Sequence, residues 1–361
     1  MSLGELFTKV RVIFGDLAVN KGLAIKQEYS MLPRYVVEHL VSKFIDEYGE
    51  EKYARKLSEY VLKYYREARE RDKILNDLID YGTIKIIDEV KVETDIKLGM
   101  HRTHLMNLGV RNLMIKKEVV SKYEPLLITG MWGLAKLEYT PETVPRDFKG
   151  DPLLKPITLT SFEPFQCSYT ETDIFKQARG HFTLDEWLDL LVNTMGLNHN
   201  RYSKRQKLLL ISRLIPLVEN NVNVMEFGPR ATGKTYIYRN ISPYTRIFAG
   251  GNISPAVLFY NIARRSLGEI AVKDVVVFDE ISKVKFTNPN EMVGKLKDYM
   301  ESGHYERGPK RAFSTCSLVF MGNISVERGE TGEYVPVEEF TYVLPKDIRE
   351  SAFIDRVHGV I

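Results

Sequence analysis

The sequence predicts an α/β core, a parallel sheet flanked by helices, preceded by a smaller α+β domain. Three observations predict it. An apolar strand, Asn223–Phe227, runs directly into the glycine-bounded loop Gly228-Pro229-Arg230-Ala231-Thr232-Gly233-Lys234-Thr235 and then into helical sequence. Two further apolar runs, Val275–Phe278 and Ser317–Met321, each end in polar residues, as strands buried on both faces of a parallel sheet do. In the first third, helical spacing of apolar residues gives way to alternation near Thr83.

Composition agrees with a soluble globular chain. Of 361 residues, 44% are hydrophobic and 27% charged, enough for a buried core. The balance of 51 basic against 48 acidic residues, net +3, excludes a polycation but leaves room for a local basic stripe. Cys167 and Cys316 stand far apart without a CxxC or Cys/His spacing, so a structural zinc site is not expected, and two reduced thiols in a cytoplasmic protein are. No secretory leader is visible, and no apolar run reaches the ~18–20 residues that span a bilayer.

In chain order, Ser30 and Pro33 read as the start of a helix carrying Val36, Val37, Leu40, Val41, Phe44 and Ile45. A second helix is expected from Glu51 to Asp80, with the charge run Tyr64–Lys73 as its solvated face. Thr83–Thr94 and Leu126–Tyr139 read as strands. The proline-rich stretch Thr140–Ser168 reads as a crossing between domains, giving 1–140, a linker over 141–180 and 181–361. Thr183 and Glu186 form a capping box for a helix ending at Gly196, and a further helix is expected over Ser203–Glu219. Lys346–Asp355 reads as a helix leading to Arg356 and a last strand, Val357–Ile361.

The G-x-x-x-x-G-K-T loop is a phosphate cradle in its required strand–loop–helix context. Its glycines let the backbone wrap closely around an anion, Lys234 supplies a point charge to the β- and γ-phosphates of ATP, and the Thr235 hydroxyl is placed for Mg²⁺. Asp279 and Glu280 follow the strand Val275–Phe278. Asp279 is expected to hold Mg²⁺ through water, and Glu280 to polarise the attacking water as general base. Asn323, at the tip of the Ser317–Met321 strand, is placed to sense the γ-phosphate. Arg356 is expected to reach a neighbouring subunit's nucleotide and neutralise transition-state charge, with Arg349 the weaker candidate.

Phosphate loop, acid pair, sensor Asn and terminal Arg in this order resemble an AAA+ ATPase core. The match narrows through His181-Phe182-Thr183, Leu214-Ile215-Pro216-Leu217-Val218-Glu219-Asn220-Asn221, Leu258-Phe259-Tyr260-Asn261, Lys297–Gly303 and Phe320-Met321-Gly322-Asn323, with Leu108-Gly109-Val110 and Gly130–Leu137 before them. These stretches resemble the BrxL family, the Lon-like AAA+ proteins of BREX phage-defence systems. The resemblance implies a hexameric or stacked ring, ATP-dependent threading of double-stranded DNA, and other BREX proteins as partners. It also implies a helical lid and a Lon-protease-like domain. Neither is found here: the sequence ends in the fifth expected core strand just after Arg356, no Ser/Lys peptidase constellation is present, and a shortened form is expected.

Pore-facing loops would touch the DNA. The candidates are Gly250–Ser254 and the basic hairpin Gly303–Ser314, with Arg307, Lys310 and Arg311 as the contacts. Lys283 and Lys285 form a weaker patch, and His101, Arg102 and His104 a small cluster in an expected loop. Nothing has the form of a base-reading helix, so little sequence preference is expected. Two other readings compete: a nucleotide-gated DNA scaffold that barely hydrolyses, and a protein unfoldase, which the polar Gly250–Ser254 loop disfavours.

Overall fold

Ile84, Ile86, Val90 and Val92 drive Thr83–Asp95 into the longest strand of the N-terminal half, β1. The computed structural model describes residues 3–96, 98–165, 172–263, 265–330 and 332–361; Cys167 lies outside them. It divides into two units, Gly4–Thr183 and Leu184–Ile361.

In the first unit, helices α1 (Leu3–Phe14), α2 (Arg34–Tyr48), α3 (Tyr53–Tyr64) and α4 (Arg71–Tyr81) precede β1. Then come β2 (Met100–Leu105), β3 (Val110–Ile115), α5 (Lys117–Lys122), β4 (Met131–Tyr139), β5 (Ile157–Pro164) and α6 (Thr172–Arg179). The five strands close into a barrel, order β1-β2-β3-β5-β4. Neighbours are antiparallel except β3 and β5, which pair in parallel through Met114↔Thr158 and Ile115↔Leu159. Closure removes every free edge, and Val90, Val110, Leu113, Leu126, Ala135 and Leu159 fill the interior. A second core joins α2 and α3 through Val36, Leu40, Leu57 and Val61 to Ile87, Trp132 and Phe165.

Several expectations change here. Ser30 is not the cap of α2; Pro33 occupies that position, and the Ser30 hydroxyl donates to the Gln27 carbonyl. The single helix over 51–80 is two, because Tyr65 turns to extended backbone and bridges to Ile87, while Asn107 donates to the Arg66 carbonyl at 3.0 Å. Leu126 lies in a short 3-10 turn, and β4 begins only after Gly130. Residues 141–180 are more than a linker: they contain β5, without which the barrel would be open. His101, Arg102 and His104 sit on β2 rather than in a loop, where Thr94, Asp95 and Glu93 respectively partner them.

In the second unit, α7 (Leu184–Thr194), α8 (Lys204–Ser212) and α9 (Ile215–Val218) lead to β6 (Val224–Gly228), α10 (Lys234–Asn240), β7 (Thr245–Ile253) and α11 (Pro255–Leu258). A small ladder, β8 (Tyr260–Asn261) with β9 (Ser266–Leu267), precedes β10 (Val275–Phe286) and α12 (Pro289–Ser302). The hairpin β11 (His304–Arg307) and β12 (Lys310–Phe313) follows, then β13 (Ser317–Asn323), the hairpin β14 (Val326–Arg328) and β15 (Tyr334–Pro336), α13 (Ser351–Ile354) and β16 (Gly359–Val360). The main sheet is parallel throughout, order β16-β6-β13-β10-β7. Val275–Phe278 and Leu318–Met321 are fully buried, as their apolar runs require.

The helix expected over 203–219 breaks into α8, capped by a Ser203/Gln206 box, and α9, which carries Pro216 in its first turn. Lys346–Asp355 forms a 3-10 turn and the short α13 rather than one helix. Gly250 and Gly251 belong to β7, not to a loop. No helix among the described residues is long and apolar enough to cross a membrane.

Asp88, on β1, is 1% exposed and accepts the Asn107 and Leu108 amides at 2.8 and 2.9 Å, pinning the β2–β3 turn. Burial pushes its carboxyl up to about 7 against those hydrogen bonds, which favour the anion. An acid with a raised folded pKa costs nothing below its ordinary value of 3.8, costs progressively more as pH rises to about 7, and costs a constant amount above. Asp88→Asn loses one acceptor at every pH but escapes this slope. Its stability relative to wild type is expected to improve steadily between pH 4 and 7 in urea titrations; a pH-independent difference would contradict the assignment.

Candidate functional site

Two strands of the parallel sheet, β6 and β13, end side by side, and β10 parts from β13 at the same rim. Asn323, last residue of β13, stands opposite Gly228, last residue of β6, and Phe320 of β13 pairs with Phe278 of β10, one residue before Asp279. Gly228, Asn323 and Asp279 thus share one rim, the C-terminal edge where open α/β sheets bind ligands.

From Gly228 the chain enters the phosphate loop. Ala231 and Gly233 both take left-handed backbone, φ +65° and +77°; Ala231 carries strain there, a feature that clusters at ligand clamps. Lys234, only 7% exposed, folds back so that Nζ donates to the carbonyls of Gly228 (2.9 Å) and Pro229 (2.7 Å). Burial lowers its pKa, while Glu226 and Asp279 act to keep it charged. The Thr235 hydroxyl donates to Asp279 Oδ2 at 2.8 Å, joining the loop to the acid strand across the sheet. The other Asp279 oxygen accepts the Glu280 amide at 2.8 Å.

Glu280 has φ +48°, rare for a residue with a Cβ, and its carboxylate pairs with Lys283 at 2.9 Å. Here the β7–β10 ladder is interrupted: it stops at Asp279↔Ala249 and resumes at Val284↔Gly251, so four residues of β10 stand against Gly250 alone. Gly322 is a point of close approach. A Cβ there would lie 2.6 Å from the Val343 side chain and 2.8 Å from the Phe227 ring.

Of the sequence-predicted residues, the structure brings together Gly228–Thr235, Asp279, Glu280 and Asn323. Arg356 stands apart within its own chain. Its guanidinium donates to the Ala352 carbonyl and to Glu301, an intrachain ion pair. Arg349 is occupied by the carbonyls of Leu344 (2.7 Å) and Tyr342 (2.8 Å). One group escaped the sequence reading: Glu226, 2% exposed within β6, paired with the equally buried Arg213 behind the phosphate loop. A charge inside the apolar run Val224-Met225-Glu226-Phe227 was its signal, since a buried carboxylate demands a partner.

A family model described as "Lon-like protease BrxL-like, ATPase domain" matches residues 157–361, more than half of the sequence. The chain belongs to the BrxL family. A second model, "BREX system Lon protease-like protein BrxL N-terminal", matches residues 12–139. Two curated proteins named Lon-like protease BrxL are similar along most of the chain. The one from Escherichia coli O9:H4 (strain HS) is 32% identical over 96% of this chain, and the one from Bacillus cereus (strain H3081.97) 29% identical over 98%. The chain spans about half the length of these relatives, 49% and 52%. The BrxL ATPase match begins at Ile157, inside the barrel's closing strand. The boundary between compact units at Thr183/Leu184 is the physical one, because β5 makes its hydrogen bonds to β3 and β4.

In this BrxL-family chain the basic hairpin is less free than its sequence suggests. Arg307 lies on the covered face, bonded to Glu291 at 3.2 Å and to the Tyr260 carbonyl at 2.5 Å. Arg311 is exposed but paired with Glu306 at 2.8 Å. Lys310 makes no ion pair among the described residues. Lys283 is held by Glu280.

The close approach at Gly322 yields a test. Gly322→Ala is expected to destabilise the unit by about 1–3 kcal/mol, as overpacking does, and to weaken nucleotide binding by moving Asn323 away from Gly228. Denaturant titration and nucleotide binding on one sample check both effects.

Proposed function

We propose that this chain is the ATP-binding and ATP-hydrolysing part of a BREX-associated AAA+ ATPase, acting in the cytoplasm as a homo-oligomeric ring, hexameric or stacked, around double-stranded DNA. The observation that carries the reading is the 2.8 Å hydrogen bond from Thr235 to Asp279. It brings a hydroxyl and a carboxylate, both hard oxygen donors, to one point beside Lys234. That donor set fits Mg²⁺, which binds through one or two protein oxygens and keeps several waters. When bound there, the ion would neutralise charge on the β- and γ-phosphates.

The chain's own residues supply the rest. The loop amides from Pro229's neighbour Arg230 to Thr235 wrap the phosphates, and Lys234 exchanges its carbonyl partners for phosphate oxygens. Glu280 takes the proton of the attacking water, once its carboxylate leaves Lys283. Asn323, facing Gly228, orients that water against the γ-phosphate. Arg356 acts in a neighbouring subunit's site after leaving Glu301.

DNA contact is supported by the barrel. Its order, with parallel β3 and β5 and α5 between β3 and β4, is the five-stranded Greek-key arrangement that binds oligonucleotides in other proteins. Lys310 and Arg311 are the hairpin contacts this reading retains, and Arg307 positions the hairpin. A second reading, a nucleotide-gated DNA scaffold with little turnover, is favoured by the Glu280–Lys283 pair, which engages the expected base.

ATP hydrolysis with and without double-stranded DNA decides between them. Turnover is expected to rise with DNA and to fall at least about 10²-fold in Lys234→Ala and Glu280→Gln, the latter still binding ATP. DNA binding without turnover in wild type would favour the scaffold. Phosphate contacts further predict that log affinity for DNA falls linearly with log salt, with a shallower slope in Lys310→Ala.

A further inference from the structure

Behind the phosphate loop the protein buries two full charges that hydrolysis chemistry does not use. Arg213, just past the end of α8, is 7% exposed, and Glu226, on β6, is 2% exposed. Arg213 Nη2 donates to Glu226 Oε1 at 2.5 Å, and Nη1 reaches the Thr232 carbonyl at 3.5 Å. One guanidinium therefore touches both the sheet and the loop.

Stability does not explain the pair. Removing two ions from water costs several kcal/mol each, and apolar residues of the same volume usually serve a core as well or better. Nor is this pair fully satisfied. Among the described residues, Glu226 Oε2, Arg213 Nε and the Tyr238 hydroxyl are buried without hydrogen-bond partners.

The geometry of the peptide unit supplies a reason. A trans peptide is planar, with its carbonyl and the following N–H pointing in opposite directions. The Thr232 carbonyl turned toward Arg213 therefore turns the Gly233 amide the opposite way, away from the buried pair. Glu226 fixes the guanidinium that sets this orientation. Its charge also favours the ammonium form of Lys234, against both burial and the nearby Arg213 guanidinium. We propose that Arg213 and Glu226 are positioning residues: an inner brace that aims the Gly233 amide and holds Lys234 for the polyphosphate of a nucleoside triphosphate. The proposal rests on the nucleotide-site reading above.

The test uses the whole chain, with Mg²⁺-ATP as probe in calorimetry and thermal unfolding in parallel. Arg213→Met and Glu226→Met alone each strand a buried charge and are expected to lower stability sharply. The double variant Arg213→Met/Glu226→Met removes both charges and is expected to unfold within a few degrees of wild type, yet bind ATP at least about tenfold more weakly. Arg213→Lys keeps the charge but loses the two-pronged contact; it is expected to fold and to bind ATP several-fold more weakly. It decides the matter if the double variant does not fold. Wild-type ATP affinity in a folded double variant, or in Arg213→Lys, overturns the brace while leaving the nucleotide site standing. If wild type itself binds no ATP, or Lys234→Ala binds as well as wild type, the nucleotide-site reading fails and the brace with it.

Discussion

The parallel register of β6, β13 and β10 is the constraint on which the rest of the second unit depends. Val224 pairs with Val319, and Val319 with Val277, so the three strands run level; β6 and β13 end together, and β10 leaves its pairing with β13 at Phe278, just before Asp279. Burial on both faces locks that register, because a one-residue slip would turn every side chain over. The rings of Phe278 and Phe320 stack at 5.0 Å and 4° at the last paired position, directly under Asp279. A phosphate loop, an acid and an amide, far apart in sequence, acquire a common rim from the packing of mainly apolar strands.

Much of this was legible in the sequence, and the reasons are local. The loop 228–235 is read from spacing, since only a strand–turn–helix can use two glycines and a lysine so. Asp279, Glu280 and Asn323 are read from polar residues terminating apolar runs. What was not legible depended on partners elsewhere. Arg307 and Arg311 look alike as letters, yet one packs under Tyr260 and Glu291 while the other faces solvent. Ile157–Pro164 alternates Thr and Ser with apolar residues among prolines and reads as loop until β3 and β4 supply its hydrogen bonds. The break at Tyr65 carries neither Gly nor Pro; a bridge to β1 makes it.

The two units solve the problem of exposed backbone differently. The barrel has no unpaired edge, and it accepts a costly buried carboxylate, Asp88, to tie its β2–β3 turn from within. The parallel sheet keeps its strand ends open, and Ala231 and Glu280 take left-handed backbone there. Buried charge is likewise placed for shape rather than stability: Asp88 and the Arg213–Glu226 pair each orient backbone groups that no apolar side chain could direct.

The interrupted ladder between β7 and β10 has a mechanical side. Four residues, 280–283, cover a distance that Gly250 covers alone, so β10 bulges beside the acid pair. Asp279 is thereby held in the ladder, while Glu280 stands outside it on a stretch that the buried Ile281 fastens to the core. Two adjacent carboxylates, inseparable in the sequence, are mounted differently: one within the paired ladder, the other on the unpaired stretch beside it.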